Sequence, residues 1–222
     1  MKKAAVLFSG GKDSCLALHI AKQKGYKIKY LLSIIPKNFD SFMFHKPDIK
    51  LLEKQADMLD VDLVIMESEG IENKEVNDLK ELIKGVSEKI NVIIAGGIAS
   101  NYQGKRINEI CSELGLEFYA PLWDYTPEQI WLELLNNRFK VILTKISCEG
   151  IFKDFLGEVI DKEKFLKLKK LSEKYKFRLD FEGGEAESAV LKMPEFKKEI
   201  HIKYNIKSDG EYRHFLDIKK VE

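Results

Sequence analysis

The sequence predicts an α/β fold in which a five-stranded parallel doubly wound sheet precedes a smaller α+β domain. Apolar runs and amphipathic segments alternate through the first half of the chain, which indicates strands joined by helices. The runs are continuously apolar, as in parallel strands that helices cover on both faces. The pattern changes near residue 123, so we expect one domain over residues 1–123 and a second over residues 124–222.

Five apolar runs predict the strands of the first domain: AAVLF, KIKYLLSIIP, DLVIME, NVIIAGG and EFYAPL. The helices between these strands have local start and stop signals. Gly25 lies just past an expected helix over residues 14–24. Pro47 suits the first turn of the second helix. Asn73 and Asn101 suit the N-caps of the third and fourth helices.

The second half of the chain predicts a different architecture. In TPEQIWLELLNN, Thr126 suits an N-cap and Pro127 suits the first helical position. A strand is expected in FKVILTKIS, and a charged helix over residues 161–176. The end of the chain predicts a β-hairpin, because apolar residues alternate on both sides of a turn at residues 208–210.

Composition and charge exclude several classes of protein. The 222 residues include 37 Lys and Arg against 36 Asp and Glu, and this balance does not favour a nucleic-acid binder. The longest apolar runs are too short to span a bilayer, and the N-terminus reaches Gly-Gly-Lys-Asp before the apolar length of a signal peptide. The three cysteines show neither a CxxC pair nor zinc spacing. We expect a cytoplasmic protein with no structural metal, membrane partner or nucleic-acid partner.

The segment SGGKDS, residues 9–14, lies between the first strand and the first helix. Adjacent Gly10 and Gly11 let the backbone curl so that several N–H groups point into one concavity. The following helix adds N–H groups and the positive end of its dipole, Lys12 adds a charge, and the two serines add hydroxyl donors. These groups favour phosphate oxygens at the carboxyl edge of the sheet, where such folds bind ligands.

Asp13 would repel an anion directly. We expect it to tie the loop by accepting N–H bonds, or to meet a Mg²⁺ ion that travels with the phosphates. The segment is not a Walker loop, in which four residues separate the glycines. The alternative is an ordinary strand–helix turn that contains glycines.

A second motif, EGGEAES, puts Glu182, Glu185 and Glu187 around the Gly183–Gly184 bend. Like charges this close cost free energy unless a positive group meets them. Ammonium, Mg²⁺ or a cationic substrate would supply that charge. The alternative is a solvated acidic turn without a ligand.

The fourth helix follows the fourth strand at the same edge of the sheet as SGGKDS. It opens with Asn101, Tyr102 and Gln103, and Arg106 follows one turn later. An N-cap needs Asn101 but neither Gln103 nor Arg106, so these side chains are candidate substrate contacts. A capped helix with exposed polar residues is the alternative. His45, after the second strand, is a weak ligand candidate.

SGGKDS resembles the pyrophosphate loop (PP-loop) of the N-type ATP pyrophosphatases, whose pattern is Ser-Gly-Gly-X-Asp-Ser and whose sheet is of the HUP or adenine nucleotide α-hydrolase-like type. The resemblance implies that the loop grips the β- and γ-phosphates of ATP. It also implies adenylation of a carbonyl or carboxylate with release of pyrophosphate. A nitrogen or sulfur nucleophile then displaces AMP.

Three further stretches, residues 41–46, 96–123 and 181–188, resemble the diphthine–ammonia ligase family in its short archaeal-type form. With the loop, the resemblance covers essentially the whole chain. The family has a run of Tyr-Gln, a basic residue, Leu-Gly-Leu and Pro-Leu-Trp. It corresponds here to Tyr102, Gln103, Arg106, Leu114–Leu116 and Pro121–Trp123. The family's Gly-Glu-Gly-Gly-Glu-aromatic-Glu-Thr motif corresponds to Phe181–Ser188.

The chain departs from these family patterns at four positions. They are Asn101 in place of an aspartate, Phe181 in place of a glycine, Ala186 in place of an aromatic residue and Ser188 in place of a threonine. Ser188 keeps the hydroxyl, and the three acidic residues are present.

The resemblance implies an ATP-dependent ligase. ATP would adenylate the diphthine carboxylate on translation elongation factor 2, and ammonia would attack the acyl adenylate. Mg²⁺ is expected with ATP. Free ammonia is the expected nitrogen source, because the chain has no evident glutaminase signature.

The resemblance also assigns roles to individual residues. The expected catalytic residues are Lys12, Asp13, Glu185 and Glu187. The expected ATP contacts are Ser9, Gly10, Gly11, Lys12, Asp13, Ser14, Gly96 and Gly97. The expected substrate contacts are Asn101, Tyr102, Gln103, Arg106, Glu182, Gly183, Gly184, Glu185, Glu187 and Ser188. The acidic residues would meet the trimethylammonium group of diphthine, and no metal ligand is predicted.

Two other functions stay open. A tRNA-modifying enzyme of the thiolation or lysidine type shares the loop, but it should show paired cysteines or a basic face. A non-catalytic ATP-binding sensor would bind ATP without turnover. That function leaves the acidic motif and the second domain without a role.

Overall fold

The structure is a computed structural model that describes residues 1–37, 48–70, 72–97 and 101–222. The side chains of residues 72–73 and 101–103 are outside this description. The chain forms two compact units. The first unit comprises residues 1–9 and 13–124, and the second comprises residues 10–12 and 125–222. Three residues of the SGGKDS segment therefore group with the C-terminal half of the chain, although they follow the first strand.

The first unit is a five-stranded parallel sheet with the strand order β3-β2-β1-β4-β5. The strands and helices, in chain order, are β1 (Lys3–Leu7), α1 (Lys12–Gln23), β2 (Lys27–Pro36), α2 (Ile49–Leu59), β3 (Asp62–Ser68), α3 (Glu72–Lys84), β4 (Val92–Ile94), α4 (Asn101–Glu113) and β5 (Glu117–Tyr119). This architecture confirms the predicted fold class. The strand KIKYLLSIIP has the predicted bounds.

The central strands are apolar because both faces of the sheet are covered. Ala4, Ala5 and Val6 of β1 are fully buried, and so is all of β4. Helix α3 packs on this core through half-buried Val76 and three buried residues, Leu79, Leu82 and Ile83, and Val86, just past the end of the helix, is buried in the same core. Helix α4 contributes three buried residues, Ile107, Ile110 and Cys111.

Two of the predicted helix starts are wrong by a residue or two, and one cannot be compared. Helix α3 begins at Glu72, so Asn73 lies inside the helix rather than at its N-cap. Asn101 is the first residue of α4, and an N-cap residue stands just before the helical residues. Pro47 is outside the described residues; α2 begins at Ile49, and the carboxylate of Asp48 caps it by accepting the N–H of Leu51 at 3.0 Å.

The second unit is built around a four-stranded sheet with the order β7-β6-β9-β8 and antiparallel pairing. Its elements are α5 (Pro127–Asn136), β6 (Lys140–Ser147), α6 (Lys162–Tyr175), β7 (Ala186–Lys192), β8 (Ile202–Ser208) and β9 (Arg213–Val221). Strands β8 and β9 confirm the predicted hairpin. Strand β7 is not predicted by the sequence, which indicated only an acidic bend in this region.

Local capping explains the helix starts of the second unit. Thr126 and Gln129 form a capping box in which each side chain accepts the other residue's backbone N–H, and Pro127 occupies the first helical position. Asp161 caps α6 by accepting the N–H of Lys164 at 2.9 Å. These starts are the predicted ones because capping chemistry is local in sequence.

Trp131 anchors the core of the second unit. Its side chain is fully buried, its Nε1–H donates to the Leu179 carbonyl at 2.9 Å, and its ring centroid lies 6.0 Å from those of both Phe165 and Phe181. The indole thus fixes the segment that leads into the acidic motif. Within the described part of the chain, no helix combines the length and the apolar character needed to cross a membrane.

Candidate active site

The order of the first sheet defines a switch point. The chain proceeds from β1 to β2 and β3 on one side, and then returns to β4 and β5 on the other. In folds of this type, ligands bind at the carboxyl ends of the strands where the order reverses. Ser9 follows β1 at this point and Gly96 follows β4, so two of the predicted ATP contacts lie at the carboxyl ends of neighbouring strands.

The two serines of SGGKDS close the loop on itself. The Ser9 backbone N–H donates to Ser14 Oγ at 3.3 Å, and the two hydroxyl oxygens are also 3.3 Å apart. The preceding residue is tied to the sheet, since the Phe8 N–H donates to the Leu32 carbonyl and Ser33 Oγ donates to the Phe8 carbonyl. The loop therefore starts from a fixed strand end.

Gly96 lies in backbone contact with the start of α1. A Cβ atom at this position would come within 2.5 Å of the carbonyl carbon and oxygen of Asp13 and 2.6 Å of the Ser14 nitrogen. No side chain fits there without a shift of the backbone. Gly96 is buried, Gly97 is exposed and Asp13 is half-buried. The role of Gly96 in this geometry is to let the end of β4 approach the loop.

Gly10–Lys12 runs along the open edge of β7 in the second unit. Strand β7 is an edge strand, and the N–H of its Val190 donates to the Gly10 carbonyl at 3.0 Å. The Lys12 N–H donates to Ser188 Oγ at 3.1 Å. Gly10 has φ of 72°, in the left-handed region that favours glycine. The left-handed conformation of Gly10 therefore belongs to a segment that is hydrogen-bonded to the edge of β7.

Lys12 is almost completely buried, with 2% of its surface exposed. Its Nζ donates to the backbone carbonyl of Asp180 at 2.6 Å and lies 5.3 Å from the centroid of the Phe181 ring. A carbonyl oxygen and an aromatic face both stabilise an ammonium group.

Asp180 completes the surroundings of Lys12. Its carboxylate receives the Nε and Nη2 hydrogens of Arg178 at 2.9 and 2.7 Å and the backbone N–H of Glu182 at 3.1 Å. Burial acts to raise the pKa of Asp180, but these hydrogen bonds and the charges of Arg178 and Lys12 outweigh it and hold the pKa below its ordinary value. Asp180 is not among the site residues predicted from the sequence, although its position between two apolar residues, Leu179 and Phe181, could have indicated a buried carboxylate.

The acidic motif begins with a strained turn. Phe181 has φ of 66° and Gly184 has φ of 82°, and the Gly184 N–H donates to the Phe181 carbonyl at 3.1 Å. A left-handed φ is unusual for a bulky residue. Phe181 occupies the position at which the family pattern has a glycine, and here its buried ring packs against Trp131.

The three carboxylates of the motif have different surroundings. Glu185 Oε1 accepts the backbone N–H of Arg178 at 3.0 Å, and Glu187 Oε1 pairs with Lys145 Nζ at 2.8 Å across the strands. Glu182 and the Gly183–Gly184 bend are exposed. Glu185 Oε2 is buried and has no hydrogen-bond partner among the described residues. The chain itself therefore neutralises part of the acidic charge.

The other predicted site residues are only partly described. Arg106 is half-buried, whereas the side chains of Asn101, Tyr102 and Gln103 are outside the description. Helix α4 packs closely on Trp123, because a Cβ atom at Gly104 would lie 2.6 Å from its ring. His45 and residues 41–46 lie outside the described residues. No group of three or more His, Cys, Asp or Glu residues that could hold a metal is present in the described ranges.

Comparison with known proteins identifies both halves of the chain. The family model for the diphthamide synthase N-terminal domain matches residues 1–118, and the model for the C-terminal domain matches residues 126–222. The diphthine–ammonia ligase of Bos taurus is 32% identical over 219 residues, which cover 89% of this chain and 82% of the relative. The Homo sapiens ligase is 31% identical with the same coverage.

Two more distant matches extend this comparison. The diphthine–ammonia ligase of Saccharomyces cerevisiae is 26% identical over 88% of this chain, which corresponds to 33% of that longer protein. A solved structure from Methanocaldococcus jannaschii, described as a predicted subunit of tRNA methyltransferase, aligns with a TM-score of 0.47 at 17% identity, covering 90% of this chain and 100% of its own. The two family models and the vertebrate relatives together show that this chain belongs to the diphthine–ammonia ligase family and is a ligase.

Proposed function

We propose that this protein converts the diphthine carboxylate of elongation factor 2 into an amide, using ammonia and ATP, through an acyl adenylate that releases AMP and pyrophosphate. The observation that carries the proposal is the SGGKDS loop, which leaves β1 at the switch point and lies in backbone contact with Gly96 at the end of β4. A ligase of this family needs an ATP site, and this is the position at which the fold binds ligands.

The phosphate part of the site consists of backbone and hydroxyl groups. Gly10 has the left-handed conformation that such a curl requires, and α1 begins within the loop, at Lys12. The N–H groups in the first turn of a helix and its positive dipole end favour an anion. Asp13 is the loop residue whose carboxylate suits a Mg²⁺ ion bound with the phosphates.

The acceptor part of the site is the acidic motif. Glu185 Oε2 is a buried carboxylate oxygen without a hydrogen-bond partner in the described part of the chain. A buried acceptor left without a donor costs free energy, and a cationic group removes that cost. Ammonium and the trimethylammonium group of diphthine both carry such a charge. Glu182 lies on the exposed turn beside it, where a protein substrate has access.

The proposed reaction has two steps, transfer of the adenylyl group to the carboxylate and transfer of the acyl group to ammonia. A diphthine carboxylate oxygen bonds to the α-phosphorus of ATP, and the bond from that phosphorus to the bridging oxygen breaks, so pyrophosphate leaves. The nitrogen of ammonia then bonds to the acyl carbon, AMP leaves with the acyl C–O electron pair, and the nitrogen loses a proton to water. The loop amides stabilise the charge that builds on the leaving pyrophosphate, and binding both reactants supplies proximity.

The test uses the purified protein with ATP, ammonium labelled with nitrogen-15, and elongation factor 2 that carries diphthine. We expect AMP and pyrophosphate in equal amounts, and incorporation of the label as an amide at the modified histidine. Mass spectrometry of the substrate peptide and chromatography of the nucleotides measure both. ADP as the main product, or binding of ATP without turnover, would refute the proposal.

A pair of glycine variants separates loop chemistry from folding. Gly10→Ala and Gly25→Ala both place alanine at a positive φ, 72° and 85° respectively, so their backbone strain is comparable. A Cβ atom at Gly25 meets nothing within 4 Å. We expect Gly10→Ala to lose ATP binding and AMP formation, and Gly25→Ala to keep both. Equal activity in the two variants would argue against a phosphate site in this loop.

A further inference from the structure

Strand β7 joins two motifs that are far apart in sequence. It begins at Ala186, directly after the acidic bend, and its open edge receives Gly10–Lys12 two residues further on. An edge strand leaves a row of backbone groups available for pairing with another segment. In this protein Val190 uses that edge to bind the Gly10 carbonyl.

The hydrogen bonds to β7 bracket Gly11. On one side the Gly10 carbonyl accepts the N–H of Val190, and on the other the Lys12 N–H donates to Ser188 Oγ at 3.1 Å. The peptide groups on both sides of Gly11 are thereby fixed to residues of one strand. Because Gly11 itself has little conformational preference, these two bonds restrict how the loop curls.

Ser188 therefore makes a contact different from the one that the family resemblance assigns to it. Its hydroxyl oxygen accepts a loop N–H, and successive side chains of a strand point to opposite faces. The neighbouring Glu187 uses its own side chain to pair with Lys145. Lys12 adds another anchor just before the acidic bend through the Asp180 carbonyl.

We propose that Ser188 is a positioning residue for the phosphate loop: its hydroxyl oxygen accepts the Lys12 N–H and so holds the Gly10–Lys12 segment in the conformation that binds ATP. The inference rests on the proposed function for the identity of the loop's ligand.

The test compares Ser188→Thr with Ser188→Val, two side chains of the same shape that differ in the hydroxyl. Both are β-branched and suit a strand. We expect the threonine variant to bind ATP as the parent protein does, and the valine variant to show an increase in Kd of about three- to tenfold, the effect of one lost hydrogen bond. Titration calorimetry with ATP and Mg²⁺ measures the difference.

Hydrogen exchange tests the same contact without any nucleotide. The amide of Lys12 should exchange faster by at least about threefold in Ser188→Val and should keep its protection in Ser188→Thr. Ser208→Val is the matched control, because it removes one hydroxyl contact, that with His214 Nδ1 at 2.9 Å, from the same sheet. We expect this control to leave both the Kd and the Lys12 exchange unchanged.

Two results would overturn the inference. One is equal exchange at Lys12 in the threonine and valine variants, which would show that the hydroxyl does not hold the loop. The other is equal affinity for ATP in the two variants when the parent protein binds ATP, which would show that the contact does not matter to the ligand. A parent protein that binds no ATP would refute the proposed function, while the exchange measurement would still decide whether Ser188 positions the loop.

Discussion

Replacing Gly96 by alanine should damage the first unit at the point where β4 meets the loop. The added Cβ atom would lie 2.5 Å from both the carbonyl carbon and the oxygen of Asp13, and these are backbone atoms that no rotamer change can move. Overpacking of this kind costs about 1–3 kcal/mol. For a chain of this length each kcal/mol corresponds to about 2–4 °C, so we expect the Tm to fall by about 2–12 °C.

Gly85→Ala is the matched control for this substitution. The nearest atom to a Cβ at Gly85 is the Leu82 carbonyl oxygen at 3.5 Å, an ordinary contact. Alanine there reduces the entropy of the unfolded chain, so stability should stay the same or rise by up to about 1 kcal/mol. Denaturant unfolding and ATP titration of the two variants form the assay, and we expect Gly96→Ala to weaken ATP binding as well, because the loop must shift. A Gly96→Ala protein as stable as Gly85→Ala would refute the close contact.

The remaining predictions concern the second unit. Trp131→Phe should lower the free energy of unfolding by about 1–3 kcal/mol, because the buried Leu179 carbonyl loses its indole donor, and urea denaturation measures the loss. Asp180→Asn tests the lowered pKa of that carboxyl. A group whose pKa is lower in the folded state stabilises the fold above its unfolded pKa, near 3.8, and this stabilisation disappears as the pH falls through the folded value. The stability difference between parent and Asp180→Asn should therefore be largest near pH 6 and shrink below pH 3.8, and an unchanged difference would contradict the assigned cause.

The local features of this fold can be predicted from the sequence. KIKYLLSIIP matches β2 because an apolar run ends at a proline, and the capping box at Thr126 lies within four consecutive residues. The order of strands and helices in the first unit follows from the same alternation. The predicted N-caps at Asn73 and Asn101 were wrong by one or two residues, because Asn73 lies inside α3 and Asn101 is already the first residue of α4.

The long-range features could not be predicted. Strand β7 pairs with β6, which lies about 40 positions earlier, and its start within the acidic motif, with Glu187 as its second residue, gave it the sequence pattern of a polar bend. The lowered pKa of Asp180 and its contact with Lys12 depend on residues that are brought together only by folding. The sequence around Asp180 does not show that Lys12 lies beside it. A role for Gly96 in the site was predicted only from the family resemblance. The structure supplies the physical reason for a glycine there, because its backbone lies against that of Asp13 and leaves no room for a side chain.

The anchoring of Gly10–Lys12 on β7 has a consequence for folding order. The bond from Lys12 to Ser188 joins residues 176 positions apart, and the bond to the Asp180 carbonyl spans 168. Closing so long a stretch costs chain entropy before any contact rewards it, and native pairings of this kind form late. During synthesis the loop leaves the ribosome early, whereas its partner strand β7 leaves only after most of the chain has been made. Pulse-labelled exchange should accordingly show the Lys12 amide gaining protection together with β7 rather than with β1. The SGGKDS loop is thus near the start of the chain but among the last parts of the protein to be completed.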